Sequence, residues 1–126
     1  MAVWVPSDSL HRRALSTHRQ LLRTTTLVTT NLVIAESYVG IHRNRGHGPA
    51  TEYLRSLHRS PRLAKVYSDP ALEAEAEAIL ARYADQDFSF VDAVSFAVMH
   101  QRGIAEAFAF DRHFLVAGFS LVPTPP

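Results

Sequence analysis

The chain has 126 residues, 47% hydrophobic and 20% charged, which is ordinary for a soluble globular domain large enough to bury a core. No cysteine occurs, so a disulfide framework, a thiolate zinc site and a cysteine nucleophile are all excluded. The formal charge of +1 divides unevenly: residues 1–63 carry nine arginines against Asp8, Glu36 and Glu52, a net of +6, while residues 64–126 carry a net of −5.

Residues 1–6 read as an irregular, apolar start. Ser7 or Asp8 then caps a helix to about residue 23, with Leu10, Ala14, Leu15, His18, Leu21 and Leu22 at helical spacing. Thr24-Thr25-Thr26 breaks that pattern, and residues 27–29 form a short buried strand. Thr30 or Asn31 caps a helix over 32–45, which ends in the loop Gly46-His47-Gly48. Pro49 suits the first position of a further helix to residue 57 or 58. Residues 63–67 alternate like a strand. Ser68-Asp69-Pro70 caps an Ala/Glu-rich helix over 71–83, whose Glu73, Glu75 and Glu77 read as a solvated face. A helix over 91–102 stops at Gly103, a buried strand covers 105–110, a short helix 112–117 and a last strand 119–122, before a tail at 123–126.

Apolar strands alternating with helices predict one α/β domain over 1–126, a sandwich with a mainly parallel sheet. No run of about 18 apolar residues suits a membrane span and no signal peptide opens the chain, so a cytoplasmic protein is expected. Twelve of the thirteen basic residues are arginine, a side chain suited to bidentate phosphate or carboxylate pairing. The basic half therefore fits nucleic acid, and equally fits plain solvated helix faces.

Three acids stand in apolar text, where a carboxylate is costly unless paired, hydrogen-bonded or bound to a cation. Asp92 lies in the first turn of its helix, where the macrodipole favours its charge. Asp111 lies just past the carboxyl end of a strand, the usual ligand position of open α/β sheets. Glu36 lies mid-helix among Leu32, Val33 and Val39, where a buried acid has no capping role. Three such acids at buried edges make sense if they converge on a cation, and oxygen-only ligands point to Mg²⁺ or Mn²⁺. Singly, each has a plainer reading: an N-cap for Asp92, a turn acid for Asp111, an arginine's partner for Glu36.

At these residues the sequence resembles the PIN-domain ribonucleases of the VapC type, toxins of type II toxin–antitoxin pairs. The resemblance rests on Leu27-Val28-Thr29-Thr30-Asn31-Leu32-Val33-Ile34-Ala35-Glu36, on Asp87-Phe88-Ser89-Phe90-Val91-Asp92-Ala93-Val94-Ser95-Phe96, and on Ala109-Phe110-Asp111-Arg112-His113-Phe114. It implies a PIN-like α/β/α sandwich, hydrolysis of RNA at an acidic Mg²⁺ or Mn²⁺ site, a homodimer, and a small antitoxin as partner, with no membrane. Glu36, Asp92 and Asp111 match three of the family's four metal-binding acids. Ser95 matches a hydroxyl that supports the site or touches phosphate. Arg43, Arg45 and Arg112 are candidate RNA contacts, and His113, tempting as a general base, reads as structural. The family's first strand ends in an Asp followed by Thr or Ser, and Met1-Ala2-Val3-Trp4-Val5-Pro6 has neither. The chain is thus expected to lack that central strand, its place being taken by residues 1–6, by a partner chain or by a rearrangement, and either the true start lies upstream or this is a shortened form. With Asp8 a poor substitute for the absent acid, nuclease activity is expected to be weak or absent. The alternatives are a compromised PIN module that binds RNA or protein without cutting, and a DNA nuclease or phosphatase on a similar scaffold.

Overall fold

The computed structural model describes residues 2–4, 26–108 and 113–122. Five short strands form one sheet: β1 (Ala2–Trp4), β2 (Leu27–Thr30), β3 (Leu63–Val66), β4 (Glu106–Phe108) and β5 (Ser120–Val122). Their order is β3-β2-β1-β4-β5 and every pairing is parallel. The central strand is therefore present, against the expectation of an irregular start and a sheet lacking it. Ala2-Val3-Trp4 is apolar, β-branched and aromatic text that suits a buried parallel strand, and it pairs on both sides. Ala2 and Val3 align with Leu27 and Val28 of β2, and Ala2, Val3 and Trp4 with Glu106, Ala107 and Phe108 of β4.

Five helices are described: α1 (Asn31–Arg45), α2 (His47–His58), α3 (Pro70–Arg82), α4 (Phe90–Arg102) and the single turn α5 (His113–Val116). The start signals act as the sequence suggests. The Thr30 hydroxyl accepts from Val33 N at 3.1 Å, and the Asp69 carboxylate from Leu72 N at 2.8 Å. Most described boundaries shift by a residue; the larger difference is that α2 begins at His47 rather than Pro49, because Gly46 at φ 92° makes the whole turn. Gly103, left-handed at φ 65°, ends α4 as expected. The helix expected from Asp8, and the tail from residue 123, lie outside the described residues. Among the described residues no helix is long and apolar enough to cross a membrane.

Alternation along β2 divides the interior into two cores. Leu27 faces one side with Ile34, Ile41, Ala50 and Tyr53 of α1 and α2. Val28 faces the other with Ile79 of α3, Phe96 and Val98 of α4, and Phe114 of α5. The result is a sheet between two helical layers, the PIN-like α/β/α sandwich that the resemblance implies. Phe96 anchors the second core, its ring meeting those of Phe88, Phe114 and Phe119 at 4.9–5.7 Å. In the first core Tyr53 is buried, its hydroxyl meets Ser37 of α1, and burial holds its phenol proton well above the ordinary range.

Candidate functional site

A wholly parallel sheet sends every strand's carboxyl end to one edge, and the connections that leave this edge carry the polar residues of interest. α1 leaves β2 there. The start of α4 meets it too, because α5, which follows β4, touches Asp92.

Asp92 is the best-defined member. It is the third residue of α4 and closes a capping box: Ser89 Oγ accepts from Asp92 N at 3.0 Å, and Asp92 Oδ2 accepts from Ser89 N at 3.2 Å. His113, first residue of α5, places Nδ1 3.1 Å from the same Oδ2. A carboxylate only accepts, so the proton of this contact sits on Nδ1. The His113 ring also stands edge-to-face on Phe88 at 5.2 Å, so it is held on two sides. Asp92 is only 8% exposed, and its Oδ1 accepts no hydrogen bond from the described residues.

Glu36 differs from expectation. It is exposed, not buried, and lines a hollow of about 550 Å³ together with Leu32, Ala35, Val39, Arg43 and Val91. The apolar neighbours that suggested burial are largely the walls of this hollow, with Val39 half exposed. Val91, which precedes Asp92 on α4, also lines this hollow. Ser95 follows Asp92 by about one turn and is fully buried, and its hydroxyl has no hydrogen-bond partner among the described residues. A group closed off from solvent suits support of the site and does not suit direct contact with phosphate. Asp111, Arg112 and Asp8 lie outside the described residues. Among the described residues no three Asp, Glu or His side chains gather as a cation cluster.

The two candidate arginines among the described residues separate. Arg43 follows Glu36 by nearly two turns and shares the hollow, whereas Arg45 is two and a half turns on and faces the opposite side of α1. The Asp92–His113 pair was the least legible feature, since the two residues are 21 positions apart and meet only through the packing of α5 on α4. Ser89 had a readable signal, the Ser-x-x-Asp spacing of a capping box.

The fold and this edge place the chain among known proteins. A model of the PIN domain family matches residues 4–120. The 23S rRNA-specific endonuclease VapC20 of Mycobacterium tuberculosis, in both strain CDC 1551 and strain H37Rv, is 39% identical over 94 residues, covering 74% of this chain and 70% of that protein. The crystal structure of M. tuberculosis VapC20, described as a sarcin-ricin loop cleaving toxin, matches with a TM-score of 0.77 and 30% identity over 94% of this chain and 96% of that one. The chain belongs to the PIN-domain family and is of its VapC toxin type.

Proposed function

We propose that this protein is a metal-dependent endoribonuclease that hydrolyses phosphodiesters of ribosomal RNA, in a structured loop of the kind its VapC20 relative cuts. The observation that carries this reading is Asp92, buried at the carboxyl edge of the sheet with one oxygen held twice and the other accepting no hydrogen bond from the described residues, in a chain 39% identical to an rRNA endonuclease. Glu36, Asp92 and Asp111 are the proposed ligands of Mg²⁺ or Mn²⁺. The fit is supported by donor chemistry, since the candidate ligands are all carboxylates, no thiol exists in the chain, and hard cations take oxygen. When bound, such a cation supplies a more acidic water and neutralises charge on the phosphate.

The chain's own residues do the rest. Ser89 and His113 hold the Asp92 carboxylate in one orientation, and the N-terminus of α4 favours its charge. Ser95, buried one turn after Asp92, is the proposed supporting hydroxyl of the site. Arg43 lies where it can hold an RNA phosphate beside Glu36, with Arg112 and Arg45 as weaker candidates. A toxin of this type implies a small antitoxin protein as inhibitor, and we include a homodimer as the working form.

A second reading keeps a specific observation in its favour. β1 ends at Trp4 and is followed by Val5-Pro6-Ser7, so no acid stands directly after the central strand. On that ground the chain is instead a PIN module that binds RNA or a protein without cutting. Cleavage of rRNA fragments with Mn²⁺, with Mg²⁺ and with EDTA separates the two, run beside Asp92→Asn. Metal-dependent cutting lost in the variant is the expected result. Cutting that survives Asp92→Asn sinks the site assignment, and no cutting by either protein favours the binding module.

A further inference from the structure

Tyr67 directly follows β3, at the same edge of the sheet as the proposed site, and is 65% exposed, the most exposed large hydrophobic side chain among the described residues. It is not loosely held. Lys65 Nζ stands 4.7 Å from the centre of its ring. The next backbone amide, Ser68 N, donates to Asn31 Oδ1 at 2.8 Å, tying the segment to the first residue of α1, the helix that bears Glu36. The position is thus fixed while the ring stays in solvent. An exposed aromatic with this anchoring has no role in either core.

We propose that Tyr67 and Lys65 form a nucleotide subsite on the RNA path, in which a base stacks on the tyrosine ring and the lysine meets the adjoining phosphate. The inference rests on the ribonuclease reading and adds a contact to it. Two strand spacings separate β3 from the central β1, about 10 Å, so a base seated on Tyr67 lies within one or two nucleotide lengths of the middle of that edge. The chemistry favours RNA over a protein segment because the ammonium group over one face of an exposed ring leaves the other face for a base, and together they match the two halves of one nucleotide.

The test is binding of a fluorescein-labelled RNA loop by anisotropy in EDTA, where nothing is cut. Tyr67→Ala is expected to weaken binding roughly 5- to 150-fold, Tyr67→Leu to do the same, and Tyr67→Trp to retain wild-type affinity. Lys65→Gln is expected to lower the slope of log affinity against log salt by about one. Melting curves should be unchanged, since the ring is exposed. Wild-type affinity in Tyr67→Ala overturns the subsite, as does rescue by Tyr67→Leu as good as by Tyr67→Trp, which is the mark of an apolar protein contact. If the wild type cuts RNA while Tyr67→Ala binds normally, the subsite falls and the ribonuclease reading stands; if the wild type neither binds nor cuts RNA, both fall.

Discussion

Asp92 Oδ2 takes two donors, Ser89 N from its own capping box and His113 Nδ1 from another element, while the backbone amide of Asp92 bonds back to Ser89 Oγ. Each partner does something different. Ser89 satisfies a backbone group that the helix start leaves unpaired, so Ser89→Ala is expected to cost about 1 kcal/mol of stability in urea unfolding. His113 is one-third exposed, so its share of stability is smaller than a buried charge-assisted bond would give. Its main effect is on aim. His113→Ala is expected to leave the fold intact and to weaken Mn²⁺ binding roughly 10- to 100-fold, measured by metal titration on the whole chain. Unchanged Mn²⁺ affinity in that variant would reduce the pair to a structural contact. The sequence put Asp92 in the first turn of the right helix, though with the N-cap as its plainer reading where Ser89 is the cap; it ranked His113 as structural from its place between Arg112 and Phe114, and nothing local joins positions 92 and 113.

Elements with strong local signals were legible, and the exceptions have physical causes. Thr30, Asp69 and Gly103 end or begin helices where capping chemistry places them, and the alternation of Leu27 and Val28 between two cores follows from the strand's period of two. β1 was missed because three residues before a proline carry almost no periodicity. Its assignment depends on pairing with Leu27 and Val28 on one side and with residues 106–108 on the other. Glu36 was misjudged because apolar neighbours at helical spacing mark a core face in most helices, whereas here Val39 and Leu32 line an open hollow. The central position of β1 gives a direct test. Val3→Pro removes an amide from the middle of the sheet and clashes with the neighbouring backbone, which is expected to cost roughly 3 kcal/mol or more. Chemical unfolding of Val3→Pro should move to markedly lower denaturant, or the variant should fail to fold by circular dichroism. A wild-type midpoint would mean that residues 2–4 do not carry the centre of the sheet.

Parallel topology is what gathers the site. Asn31 comes from the connection between β2 and β3, Tyr67 and Asp92 from that between β3 and β4, and His113 from that between β4 and β5, and they share one edge because every strand of the sheet runs the same way. The same edge takes the start of α1, the helix that carries Glu36. A divalent cation held by these acids in the folded state has no such site in the unfolded chain, so its binding must appear as stability. At a hundredfold excess over its dissociation constant the cation adds about 2.7 kcal/mol. For a domain of this size that is a rise in Tm of about 10 °C, readable by scanning calorimetry with Mn²⁺ against EDTA. Asp92→Asn should remove most of the rise, and Glu36→Gln should reduce it, each without any assay of cleavage. A full rise in Asp92→Asn would put the cation elsewhere on the molecule. No rise in the wild type at millimolar Mn²⁺ would mean that these acids do not bind a cation without an acid after β1, and would turn the balance toward RNA binding without cutting.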